Sequence, residues 1–283
     1  MTILERSRPA PSRWRAQLRD AAAWAGRRAD LRAGLRANLR DLGRELALVA
    51  VGALAYYLIR GGVVDRVEEA FARGADLIEL ERRLGIFWEP AMQDWILGSR
   101  ALIDLSNAVY FWGHMPLIVA IGVWLFWRKR RVYRLTRNAF LGSAVVALIC
   151  YAALPVAPPR FFPELGFVDT MALYSQASYQ AQEVSLFVNP YAALPSLHFG
   201  WALLLGLALW MARPGGRWDW AFALGALLIP LGQGVSIVLT GNHFLLDAVA
   251  GAAVAGLGLA MALLWRRWRP SGRVTVGKGV AGC

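Results

Sequence analysis

The sequence predicts an all-α integral membrane protein: a six-helix bundle with amphipathic helices at its interfaces. Three observations predict it. The 283-residue chain is 57% hydrophobic with a positive mean hydropathy, well above a soluble domain. Several apolar runs reach the roughly 20 residues needed to cross a bilayer. The basic residues gather beside those runs, as cytoplasmic flanks do.

The elements follow in chain order. Residues 1–44 form a basic cytoplasmic segment with eleven arginines and no apolar core of the kind a cleaved secretory signal needs. Leu31, Leu35, Leu39 and Leu42 recur there at helical spacing among arginines. This suits an interfacial helix on an anionic leaflet, the alternative being a partly disordered tail. The membrane domain occupies 45–267, with spans at 46–64, 101–127, 138–156, 197–212, 218–240 and 243–265. Arg60 near the end of the first span can snorkel, and the fourth span is short. Residues 65–99 read as an amphipathic extracytoplasmic helix and turn, broken near Gly85 and Pro90 and lying along the membrane surface. Residues 157–196 form an extracytoplasmic active-site loop, and 268–283 a cytoplasmic tail.

Lysine and arginine set the orientation. The segments 1–44, 128–137, 213–217 and the tail after Trp265 hold 24 of the 31 basic residues, and they alternate so as to share one side. The positive-inside rule then puts both termini in the cytoplasm; the expected location is a bacterial plasma membrane. The net charge of +12 does not indicate nucleic acid, because no aromatic-basic reading surface accompanies it. Cys150 and Cys283 suggest neither a disulfide nor a metal site.

This topology gathers costly polar residues at one face. Only three histidines are present, and two begin apolar runs, in Leu194-Pro195-Ser196-Leu197-His198 and Gly241-Asn242-His243-Phe244-Leu245-Leu246-Asp247. Ionisable groups inside a membrane read as functional by default. His243 and Asp247 are four apart, so a helix would put them on one face. The carboxylate could then orient the ring and leave its other nitrogen as nucleophile or base; singly, such a pair also makes a polar helix–helix contact. His198 follows Ser196 at a helix start, where backbone N–H groups suit phosphate and Ser196 can cap, bind an oxygen, or both. Arg160 closes Pro155-Val156-Ala157-Pro158-Pro159-Arg160, where its fork suits phosphate oxygens or it snorkels. Together these residues make an inventory for displacement at phosphorus through a histidine intermediate. His114 lies deeper, in the second span, and is read as structural beside Pro116 or as a headgroup contact. Asp104 and Asn107 begin that span and could touch a headgroup.

The three stretches resemble, in order, the signature motifs of the type 2 phosphatidic acid phosphatase superfamily, over roughly residues 100–265. The family's motifs are Lys, six residues, Arg-Pro; Pro-Ser-Gly-His; and Ser-Arg, five residues, His, three residues, Asp. Ser236 fits, whereas Ala153, Phe161, Leu197 and Ile237 replace the lysine, proline, glycine and arginine. Pro-Ser-Leu-His and the absent arginine are more similar to the inositol phosphorylceramide synthase branch, whose members move a phospho-headgroup to an alcohol. The resemblance implies His243 as nucleophile, Asp247 as its orienting partner, His198 as acid and then base, and Arg160 and Ser196 as ligands of the phosphoryl oxygens. It implies no metal or other cofactor, a phosphorylated lipid as substrate, and the bilayer as surroundings. The expected function is a lipid phosphatase or phosphotransferase at the extracytoplasmic face. The alternatives are a phospho-headgroup transferase, a non-enzymatic lipid-phosphate binder or transporter, and a haloperoxidase-like activity.

Overall fold

The computed structural model describes residues 39–52, 54–55, 57–58, 65–175 and 190–268. The chain divides into two compact units, Met1–Leu54 and Ala55–Cys283. In the first unit the described residues are helical. Most of the expected basic N-terminal helix, residues 59–64 of the first expected span, the 176–189 part of the expected active-site loop and the tail after 268 lie outside the described residues.

Over 65–99, where a helix and turn were expected, the second unit has two helices. The first, α1 (Val67–Leu84), buries one face through Ala70, Gly74, Ile78 and Glu81, the period expected of a helix with one covered side. Arg66 and Arg73 flank Glu69 on its outer face at 2.7 Å each, and the Arg66 hydrogen bond holds that carboxyl below its ordinary range. Gly85 ends the helix in the left-handed conformation (φ 70°) and returns its N–H to Arg82, a conformation glycine adopts without penalty. Pro90 then opens α2 (Glu89–Leu97), where its missing N–H costs nothing.

The expected span 101–127 is not one straight helix. It divides into α3 (Arg100–Trp112) and α4 (Met115–Arg128), with a 44° bend between them. The cause is Pro116 in the first turn of α4, which cannot donate to the preceding turn. The long α5 (Arg130–Ala153) begins inside the basic stretch and stops before Pro155, which disfavours helix at Leu154. Two 3-10 turns, Pro159–Phe161 and Pro163–Leu165, and a short helix α6 (Thr170–Tyr174) follow. Then come α7 (Leu197–Met211), α8 (Asp219–Leu239) and α9 (Leu245–Trp268).

Three of these helices, α5, α8 and α9, are long and apolar enough to cross a membrane, and α3 with α4 passes the same test as a bent pair. The fifteen-residue α7 is apolar but shorter, about 22 Å against a hydrocarbon core of about 30 Å. Among the described residues of this unit there is no strand, only an isolated bridge between Val156 and Ala192.

The helix α9 packs along α5 and α7, α7 along α8, and α8 reaches α2 and α3. Small residues let the backbones approach, the usual basis of helix association in lipid. At Gly251 of α9 a Cβ would collide with the Ser196 carbonyl, and at Gly200 of α7 one would collide with the Gly251 carbonyl. The C-terminal ends of α5 and α8 and the N-terminal ends of α7 and α9 therefore meet at one end of the bundle. The basic stretches around Arg130, Arg213 and Arg266 lie at the other ends of the same helices.

Gly251→Ala is expected to destabilise the folded protein by about 1–3 kcal/mol, the usual cost of overpacking. Gly256→Ala, where a Cβ meets nothing within 4 Å, is expected to be neutral or to stabilise by up to about 1 kcal/mol. Denaturant titration of both variants in detergent micelles checks the contrast.

Candidate active site

His243 stands just ahead of α9, not on it. The expected helical spacing of His243 and Asp247 fails because α9 begins at Leu245. Asp247 itself sets that boundary: its Oδ2 accepts the Phe244 N–H at 2.8 Å, the N3-to-N-cap half of a capping box. His243 Nδ1 lies 3.4 Å from the same oxygen. Its closer partner is the Ala193 carbonyl at 2.9 Å. A carbonyl can only accept, so Nδ1 carries a proton, and in the neutral ring the lone pair is on Nε2. The ring is 5% exposed. Gly241 (φ 67°) makes the turn from α8 into this segment, and a Cβ there would press on Gln93 and the Val168 carbonyl.

His198 occupies the first turn of α7. Ser196 is the N-cap, its hydroxyl accepting from the Phe199 N–H at 3.4 Å. The Ser196 N–H donates to the Asp247 carbonyl at 2.9 Å, so the starts of α7 and α9 are tied directly together. The His198 and His243 ring centroids are 5.5 Å apart. His198 also stacks on Tyr110 at 4.3 Å and on His114 at 3.9 Å.

His114, at the bend between α3 and α4, is thus beside the other two histidines rather than remote from them. Its Nδ1 is buried without a hydrogen-bond partner, and its ring stacks against His198 and Trp201. The three histidines form one group because the α3–α4 bend carries the 114 position toward α7.

Arg160 enters from the loop after α5. Its N–H donates to the Gly241 carbonyl at 2.8 Å, and its guanidinium donates to Asn242 Oδ1, next to His243. Asp169 approaches its Nε at 3.5 Å. The loop is pinned on its other side, where the Val156 N–H meets the Tyr191 carbonyl and the Ala157 N–H meets the Ala70 carbonyl, each at 2.9 Å.

Asp104 and Asn107 do not join this group. Arg100 Nε takes both Asp104 oxygens at 2.9 Å on the exposed side of α3. Asn107 gives its amide to Thr170, accepting from the hydroxyl at 2.8 Å and donating to the carbonyl at 3.0 Å. It thereby anchors α6 to α3.

Sequence reasoning missed Asn242 and three buried polar residues, Glu81, Glu89 and Gln93. All three are 0% exposed. Glu89 Oε1 accepts the Leu245 N–H at 2.9 Å and Glu81 Oε1 the Leu246 N–H at 2.8 Å. Gln93 bridges the Leu239 and Val168 carbonyls and accepts the Val168 N–H. The signal was present: the stripe Ala70, Gly74, Ile78 continues at helical spacing to an acid, Glu81. Burial, followed by hydrogen bonding to Glu89, pushes the Glu81 carboxyl up to about 9 against the pull of the Leu246 N–H. Among the described residues no group of three or more His, Cys, Asp or Glu is placed to hold a metal ion.

A family model described as the PAP2 superfamily matches residues 75–261. No curated protein and no solved structure matches the chain. The matched stretch begins in α1 and ends within α9, so it spans every segment that brings Arg160, His198, His243 and Asp247 to one end of the bundle. With its three membrane-length apolar helices, the chain is an integral membrane protein that belongs to the PAP2 superfamily, a family of phosphoesterases and phosphotransferases.

Proposed function

We propose that this protein is a lipid phosphatase or phosphotransferase whose catalytic pair is His243 and His198. The observation that carries the reading is the hydrogen bond from His243 Nδ1 to the Ala193 carbonyl. In the neutral ring it puts the lone pair on Nε2, and the ring's neighbour is a second histidine. His243 Nε2 attacks phosphorus and the ester P–O bond breaks. The leaving oxygen takes a proton from His198, which yields the lipid alcohol and a phosphohistidine. His198 then takes a proton from the acceptor, whose oxygen attacks phosphorus and breaks the N–P bond. Arg160, steadied by Asn242, and the start of α7 at Ser196 hold the phosphoryl oxygens.

The site lies at the extracytoplasmic face in this reading. Its support is that 24 of the 31 basic residues fall in segments that alternate along the sequence so as to share one side. Six spans result when α3 with α4 counts as one broken span, α7 as a short one, and residues 46–64 as the first.

Transfer to an alcohol, as in the inositol phosphorylceramide synthase branch, is the second reading. The position of the family's third-motif arginine is Ile237, fully buried, and that of the first-motif lysine is Ala153, the last residue of α5. Fewer cations suit a phosphodiester, which carries less charge than a terminal monoester. A non-enzymatic binder or transporter would use the same residues without turnover.

His243→Ala is expected to lower turnover by about a thousandfold or more while the protein stays folded. Brief reaction with labelled substrate should mark His243 in the wild type, and retained turnover in the variant would remove it as nucleophile. Arg160→Ala is expected to weaken transition-state binding about 10–100-fold, the worth of a hydrogen bond to a charged group, measured as kcat/KM. A lipid-extract assay that scores free phosphate and new phospho-products separates water from alcohol as acceptor. In a variant lacking Cys150 and Cys283, a cysteine at exposed Glu164 should react with an impermeant maleimide in intact cells, and one at exposed Gly215 only after permeabilisation. The reverse pattern would place the site in the cytoplasm.

A further inference from the structure

The first three N–H groups at the start of α9 go to three different carboxyl groups. Phe244 donates to Asp247, Leu245 to Glu89 and Leu246 to Glu81, at 2.8, 2.9 and 2.8 Å. Two of these acids come from α1 and α2, more than 150 residues earlier in the chain. A helix start is an ordinary place for an anion, but here carboxyl groups of the same chain fill it.

The second oxygens do not balance. Glu81 Oε2 and Glu89 Oε2 are both buried with no donor, both residues are 0% exposed, and their other oxygens take consecutive N–H groups of the same helix start. Among the described residues no arginine, lysine or histidine pairs with either. Two adjacent buried carboxylates without a cation cannot both stay ionised. One shared proton resolves all of this. An O–H on Glu81 donates to Glu89, both empty oxygens become satisfied, and the pair carries a single charge.

We propose that Glu81 and Glu89 are positioning residues that hold one proton between them and so seat the start of α9, and with it His243 and Asp247, for reaction. The role in reaction rests on the catalytic reading of His243 given above; the shared proton does not. The charged groups facing Glu81 are Glu89 from α2 and Asp247 from α9. The loop packed on α1 carries Arg160, engaged with Asn242 and Asp169, and the exposed Glu164. Loss of the shared proton puts two negative charges beside Asp247 and drives the pair apart, withdrawing both acceptors from α9.

A carboxyl raised from 4.5 to about 9 in the folded protein binds its proton more tightly there than in the unfolded chain. Its contribution to stability is whole below the ordinary carboxyl value and is lost as pH rises through the raised one. With the seating of α9 lost in that range, turnover should fall along an alkaline limb.

Infrared spectroscopy of the full-length protein in lipid nanodiscs tests the proton directly. The expected result is a protonated-carboxyl C=O band at neutral pH that disappears at alkaline pH and is absent from Glu81→Gln. No such band in the wild type would overturn the proposal, whatever the activity. Kinetics test the consequence. Glu81→Gln keeps an acceptor for Leu246 and an N–H donor for Glu89, so it should retain turnover within about threefold and lose the alkaline limb. Glu81→Leu keeps neither and should lose most turnover at every pH. A Glu81→Gln enzyme with the wild-type alkaline limb would overturn the positioning role. Retained turnover in His243→Ala would instead overturn the catalytic reading, and the infrared result would still decide the shared proton.

Discussion

The start of α9 is held by hydrogen bonds from three consecutive backbone N–H groups to carboxyl groups of α9, α2 and α1. Nearly every other feature of the site depends on that seating. His243 immediately precedes it, Asp247 belongs to it, and the Asp247 carbonyl receives the Ser196 N–H that begins α7. A shift at this point would move both histidines. Buried N–H groups must find partners, and at a helix start no intrahelical carbonyl supplies them. Asp247 of α9 supplies one, and the amphipathic pair α1–α2 brings the other two.

The same logic explains why α1 and α2 are more than a surface ornament. The covered face of α1 meets Ala157, Phe162, Phe167 and Phe244 in one apolar cluster, and Gln93 of α2 ties the end of α8 to the loop at Val168. The loop that carries Arg160 is held between α1 on one side and Gly241 on the other. Arg160 is therefore aimed by backbone hydrogen bonds and by Asn242, rather than left to sample solvent. Phosphate chemistry benefits from such fixed donors because they need no reorganisation when charge develops.

Much of the architecture was legible. Apolar length marked α5, α8 and α9, and a short run marked α7. Gly85 and Pro90 marked the break between α1 and α2. Histidine, aspartate and arginine at the ends of apolar runs marked four residues that the fold does bring to one end. The details that escaped were those set by contacts between distant segments. The pairing of His243 Nδ1 with the Ala193 carbonyl is backbone recognition, invisible to any spacing rule. The engagement of Asn107 with Thr170 depends on how a loop folds back over α3. The approach of His114 to His198 depends on a 44° bend whose size Pro116 does not state.

The sequence by itself determined the all-helical membrane class, the superfamily and the chemical inventory. These follow from composition, periodicity and the order of short motifs, all of which are local. Only the tertiary structure decided which nitrogen of His243 is left free, which groups hold Arg160, and that two acids from α1 and α2 are buried against α9. The reason is physical: tautomer, ion pairing and the burial of a charge are set by neighbours in space, and the carbonyl on His243 and the N–H on Glu81 come from 50 and 165 residues away in the chain.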